Sequence, residues 1–192
     1  MNRYTRESLI EEIKRGQTFE YLLFCGHKAS SDGSVSDSCC SQWFPAKFQI
    51  DGVEYSTAEH YMMAEKARLF KDEEMLEQIL HSATPREAKA LGRKVQHFED
   101  SVWKKHGCEI VVKANRAKFL QNPEFAKWLL ATAPKVLVEA SPFDRIWGIG
   151  MAKSNTEAKE PSKWKGQNLL GFALMEVREI LQDEASPEEV RN

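Results

Sequence analysis

The sequence predicts a mainly helical α+β fold, one compact domain with a small antiparallel sheet. A succession of capped or apolar-periodic segments reads as helices. Strand-forming runs are few and short, and two of them flank Asp51-Gly52, the strongest short hairpin signal. The 192 residues contain no repeat and no linker, a length that suits one domain able to bury a core.

In chain order, Thr5 to Lys14 is a short amphipathic helix with Leu9, Ile10 and Ile13 on one side. The strand formers of Phe19 to Phe24 predict a strand, and His27 to Ser41 a long Ser-rich loop. Phe48-x-Ile50 and Val53-x-Tyr55 form the hairpin around Asp51-Gly52. Ser56 stands three residues before Glu59, the spacing of a capping box opening a helix. Asp72 to His81 continues a helical pattern. Thr84-Pro-Arg-Glu87 combines a cap, a first-turn proline and a capping glutamate, for a helix ending near Gly92. A long helix follows from Ser101 to about Leu120, and another starts at Asn122-Pro123.

Lys135 to Ala140 alternates as a strand, Ser141 to Gly150 is dense in turn formers, and Lys153 to Lys165 reads as an exposed loop. Leu169 to Leu181 is apolar around much of its circumference, as a buried helix is. The expected organisation is therefore an N-terminal helix in 1–18, a domain over 19–182, and a fraying acidic tail over 183–192.

Composition excludes several classes. Hydrophobic content of 42% and charged content of 29% are those of a soluble globular protein. A net charge of -2 gives no general attraction to nucleic acid or membrane. Locally, Arg86 to Lys118 carries nine Lys or Arg against four Asp or Glu, either a solvated helix surface or a phosphate-binding face. No apolar run approaches the ~20 residues that span a bilayer. Cys25, Cys39, Cys40 and Cys108 match no zinc spacing and follow no signal peptide, so reduced thiols in a cytoplasmic or nuclear protein are expected.

One face stands out. From Glu59, the helical positions i+3, i+4 and i+7 are Met62, Met63 and Lys66. A carboxylate and an amine flank two thioethers, which is unusual for a helix that only packs. Glu59 alone is explained by capping, and Lys66 alone by a snorkelling side chain. Together they suit proton transfer at a glycosidic centre, or amine attack on a carbonyl. Glu59-His60 lacks the second histidine of a zinc helix, and the other histidines form no ligand-spaced pair; no metal is expected.

Ser41-Gln-Trp-Phe-Pro45, the run from Tyr55 to Phe70, Asn115-Arg-Ala-Lys-Phe119, Leu130-Ala-Thr-Ala133 and Trp147-Gly-Ile-Gly150 together resemble the NADAR (YbiA-like) family. Gly166 to Arg178 fits the family's closing helix, and the resemblance spans roughly Phe19 to Leu181. It implies a compact, mainly helical domain and a cofactor-independent N-glycosidase. The bond would join ribose to nitrogen, in ADP-ribosylated guanine of DNA or RNA or in ribosylaminouracil phosphates of early riboflavin synthesis. A non-catalytic ADP-ribose-binding module is the further reading.

The resemblance places the catalytic glutamate at Glu59 and the motif lysine at Lys66, the latter forming a Schiff base with ring-opened ribose. It puts substrate contacts at Trp43, His60, Trp103, Asp144, Trp147, Gly148, Gly150 and Asn168. A phosphate-bearing substrate adds Arg116 and Lys118 from the basic stretch. Two loops, before Cys39 and over Lys153 to Lys165, depart from compact bacterial members, which leaves substrate choice open. The expected partner is an ADP-ribosyl or ribosyl-phosphate substrate, without a membrane; oligomeric state is not legible.

Overall fold

The computed structural model describes residues 4–185, and α-helices dominate it. In order, the elements are α1 (Arg6–Lys14), β1 (Tyr21–Phe24), β2 (Phe48–Ile50), β3 (Val53–Tyr55), α2 (Ala58–Leu69) and α3 (Glu73–Leu80). They continue as α4 (Pro85–Gly92), α5 (Asp100–Leu120), α6 (Pro123–Leu130), β4 (Val136–Glu139) and α7 (Leu169–Ala185). No helix among the described residues is long and apolar enough to cross a membrane. The expected acidic tail begins inside α7, and its residues 186–192 lie outside the described residues.

The hairpin forms as its turn dictates. Phe48 faces Tyr55 and Ile50 faces Val53 in antiparallel register, with Asp51 and Gly52 both at positive φ (52° and 81°). Two positive-φ positions in a two-residue turn suit the twist of the strands, and Asp-Gly adopts them cheaply. Phe48, Tyr55 and Tyr61 then pack ring against ring, Tyr55 and Tyr61 edge-on at 5.0 Å, so the hairpin docks on α2.

α2 is the central helix. It contacts α3, α4 and α5, and Ala58 to Ala64 are buried without interruption. A helix buried on nearly every side has a weak apolar stripe, so its residues reveal position better than periodicity does. Its start differs from the sequence expectation by one residue. Thr57, not Ser56, is the N-cap, with Oγ1 accepting from the His60 amide at 3.4 Å. The Ser56 carbonyl accepts from Ala46 N–H, keeping Ser56 in the connection from the hairpin. Glu59 is thus the second helical residue, and its own amide donates to the Gln42 carbonyl at 3.0 Å.

Beside the antiparallel hairpin, the structure holds a second, parallel pair of strands, β1 with β4, Tyr21 against Val136 through Phe24 against Glu139. α7 covers this pair, so Val136, Leu137 and Val138 are all buried instead of alternating. Asn168, at positive φ just before α7, ties the two: Nδ2 donates to the Leu137 carbonyl and Oδ1 accepts from the Glu139 amide, each at 2.9 Å.

Two loops are more ordered than their composition suggests. Asp37 to Cys40 forms a short 3₁₀ turn with both Cys39 and Cys40 fully buried. Lys153 to Lys165, expected as an exposed loop, contains 3₁₀ turns at Thr156–Lys159 and Pro161–Lys163. Ala158, Pro161 and Trp164 are buried there, and Trp164 Nε1 donates to the Ala158 carbonyl at 2.9 Å. One indole and its satisfied N–H anchor a segment that is otherwise polar.

Candidate active site

The predicted face of α2 lines a cavity of ≈ 470 Å³ with Glu59, Met62, Met63 and Lys66. α4 and the residues after it contribute Lys89, Gly92 and Arg93; α5 contributes Trp103. The turn after β4 closes the other side with residues 143–147. Carboxylate and amine therefore meet in one concave space, with further cations around it.

Glu59 is only 4% exposed. Burial raises its pKa above the ordinary carboxylate value, with Lys89, a hydrogen bond from Trp43 and Arg93 pulling the other way and Asp144 adding to the rise. Trp43 lies outside the cavity lining but serves the site twice. Its side chain bonds Glu59, and its ring lies 5.7 Å from Lys89 Nζ. Gln42 places Trp43 there: its carbonyl accepts from Glu59 N–H and its Oε1 accepts from Asn115 Nδ2 at 2.8 Å.

Lys66 is half-buried. Its Nζ donates to the Gly92 carbonyl at 2.8 Å and lies over the Phe98 ring at 4.1 Å and the Trp103 ring at 5.8 Å. Burial first, then Arg93, lowers its pKa and increases the share of free amine near neutrality. Trp103 takes its position because Gly107, one turn on, is bare: a Cβ there would lie 3.1 Å from the indole.

Asp144 organises the far wall. Its Oδ1 accepts from the amides of Ile146 (2.9 Å) and Trp147 (2.8 Å), and its carbonyl accepts from Gly150 N–H at 2.9 Å. Gly148 and Gly150 shape this turn and do not line the cavity. A Cβ on Gly148 would sit 2.9 Å from the Glu139 carbonyl, and Gly150 has φ of 66°.

Other expected site residues lie elsewhere. His60 is buried outside the cavity, its Nδ1 2.7 Å from Thr57 Oγ1 and its Nε2 3.2 Å from the Ser82 carbonyl. Arg116 pairs with Glu184. Lys118 is fully buried, donating to the carbonyls of Cys39 (2.6 Å) and Ser41 (2.9 Å), and burial lowers its pKa to about 8. Asn168 binds backbone, as above. The basic stretch reaches the cavity through Lys89 and Arg93 instead, joined by Arg145 from the opposite wall. Among the described residues, no group of His, Cys, Asp and Glu is arranged to hold a metal.

Sequence reasoning missed Glu139. It ends β4 behind the cavity wall, with Oε2 buried and without a hydrogen-bond partner among the described residues. Burial, then repulsion from Asp144 and Glu59 against attraction to Lys89, pushes its pKa up to about 8. Burial above all, with Asp144 and Glu59 adding to it, thus favours the protonated form of Glu139 beside the acidic groups of the site.

The residues 23–182 match the NADAR domain model. The chain belongs to the NADAR family. It is 42% identical over 168 residues to N-glycosidase R617 of Acanthamoeba polyphaga mimivirus, covering 85% of this chain and 97% of that protein. Against N-glycosidase YbiA of Escherichia coli (strain K12) it is 38% identical over 133 residues, 69% of this chain and 74% of that one. The NMR structure of E. coli YbiA superposes with a TM-score of 0.69 at 30% identity, covering 92% of this chain and 94% of that chain. The NADAR domain in this protein thus has a solved counterpart for nearly its whole length, and the cavity between α2, α4, α5 and the turn after β4 belongs to that shared domain.

Proposed function

We propose that this NADAR domain is an N-glycosidase that releases ADP-ribose from ADP-ribosylated guanine in nucleic acid. The observation that carries the reading is that Glu59 and Lys66, on one face of α2, line the same cavity together with Lys89, Arg93 and Arg145. Hydrolysis of an N-glycosyl bond is the activity for which the relatives are named. What supports this substrate is chemical fit: the cations suit a diphosphate, and the amine suits a ribose that can open to an aldehyde-level carbon.

In this mechanism Glu59, holding its proton more readily than an ordinary carboxylate, gives it to the ring oxygen as the ribose opens. The free amine of Lys66 adds to C1′, and the proton that its nitrogen then sheds passes to the base nitrogen as the C1′–N bond to the base breaks. The resulting C1′=N bond to Lys66 is a Schiff base. Water then adds at C1′, the lysine departs as an amine, and ring closure returns a proton to Glu59. Met62, Met63 and Trp103 line the surroundings with apolar groups, which disfavours the charged form of the amine and strengthens electrostatic contacts.

The test offers the purified protein two substrates, an oligonucleotide carrying ADP-ribosylated guanine and a ribosylaminouracil phosphate. Release of ADP-ribose from the first, with a borohydride-reduced adduct on Lys66, is the expected result. Cleavage of the second alone would move the activity to riboflavin intermediates. Tight ADP-ribose binding with no product from either would make the domain a reader.

A further inference from the structure

We infer that Phe143, on the turn after β4, forms a stacking platform for the nucleobase next to the modified guanine in a single strand. The inference rests on the reading of the substrate above and specifies which part of a polymer the protein touches. Phe143 is 96% exposed and Ile146 60% exposed, although both border the cavity. Scattered exposed apolar residues are ordinary, so exposure alone decides nothing. Two further observations do.

First, the backbone that carries them is fixed. Asp144 Oδ1 accepts from the amides of Ile146 and Trp147, the Arg145 carbonyl accepts from Gln167 at 3.0 Å, and the Ile146 carbonyl accepts from Leu169 at 3.3 Å. A Cβ at Gly166 would lie 2.7 Å from the Arg145 Cα, so the turn is pressed against the segment leading into α7. The phenyl ring is therefore presented to water from a rigid base.

Second, Arg145 stands between the two apolar residues, with Lys89 and Arg93 across the mouth. An aromatic face flanked by cations matches a strand, whose bases stack and whose phosphates need counter-charge. With a net charge of -2 the chain offers no general attraction to a polyanion, so contact with a strand rests on local groups such as these. A lipid surface would also meet apolar and cationic groups, but lying flat on the rim it would close the mouth through which substrate enters. Phe143 sits on the cavity rim and is almost fully exposed, whereas Glu59 is buried, so the ring is open to the neighbouring base while the reacting one lies further in.

The test compares wild type with Phe143→Ala and Phe143→Trp on two substrates, ADP-ribosylated guanine within an oligonucleotide and the same modification on free guanosine. Losing one base–aromatic stack should raise KM for the strand about tenfold more than KM for the nucleoside, and Trp should restore it. Equal losses on both would overturn the inference, because the ring would then serve the reacting nucleotide. No change on the strand would overturn it too.

Binding of an unmodified, labelled single strand, read by fluorescence anisotropy, decides the same point without turnover. Phe143→Ala should weaken it about tenfold at fixed salt, and unchanged affinity refutes the platform. If neither substrate is cleaved, the proposed activity fails while this binding measurement still judges the platform. A side chain so exposed makes few packing contacts, so Phe143→Ala should keep the wild-type melting temperature.

Discussion

Lys66 directs its Nζ at the carbonyl oxygen of Gly92, 2.8 Å away, at the last residue of α4. A helix C-terminus holds unpaired carbonyls and favours a cation, so this contact opposes the burial that lowers the lysine pKa. Burial and Arg93 win, and the amine titrates below its usual 10.5. The rate should therefore rise with pH as Lys66 loses its proton, along a limb lying below that value. Lys66→Arg keeps the stem and the charge but cannot supply a free amine, and turnover should fall by about 10²–10⁴-fold. Wild-type kcat in the arginine variant would remove Lys66 from the chemistry.

Because Thr57 caps α2, capping and chemistry separate cleanly at the start of that helix. Thr57→Ala removes the cap and the partner of His60 Nδ1, and should cost about 1–2 kcal/mol of stability with kcat nearly intact. Glu59→Gln keeps the shape and should leave the urea midpoint near wild type while lowering kcat by about 10²–10⁴-fold. The outcome that contradicts this assignment is the reverse pattern, a stable but inactive Thr57 variant beside an active Glu59 variant.

Glu139 and Lys118 make opposite demands on pH. Glu139 titrates at about 8 when folded against an ordinary 4.5, so the folded chain binds the extra proton between those values. Its contribution is complete below pH 4.5 and is lost as pH rises to about 8. Lys118 is depressed from 10.5 to about 8, so its contribution is complete above 10.5 and is lost as pH falls through about 8. The two together place a stability minimum near pH 8. Each group limits the slope to about 1.4 kcal/mol per pH unit. Glu139→Gln should flatten the fall on the acid side, and Lys118→Met the rise on the alkaline side. Denaturant unfolding at pH 6, 8 and 9.5 reads both, and slopes unchanged in the variants would show that neither group titrates in those windows.

The contrast between these residues and Glu59 shows what a sequence can reveal of this site. The hairpin, the helix cap at Thr84, and the Glu59–Lys66 face are local patterns, set by residues a few positions apart, and the structure contains them. Glu139 looked like the polar side of an alternating strand because burial by a parallel partner and α7 depends on chain segments far away. Lys118 reads as a candidate phosphate contact for the same reason: only the fold buries it and brings the Cys39 and Ser41 carbonyls to it. The 3₁₀ turns before Trp164 bury only Ala158 and Pro161, and their exposed polar neighbours hide that anchoring from a sequence reading.

Gly92 gives the last test, since helix propensity and packing disagree there. Alanine favours a helix over glycine by about 1 kcal/mol. A Cβ at Gly92, however, would lie 2.1 Å from Met63 Sδ, 2.9 Å from its Cγ and 3.2 Å from its Cβ. The sulfur can swing away, but the Met63 Cβ is fixed to α2, so α2 and α4 must separate or Met63 must turn into the cavity it lines. Overpacking of this kind costs about 1–3 kcal/mol, which exceeds the propensity gain. Gly92→Ala should therefore lower the denaturation midpoint and raise KM, because the displaced thioether occupies substrate space and the Lys66 acceptor moves. A variant at least as stable as wild type with unchanged KM would show that α2 and α4 are less closely packed at Met63 than these distances require.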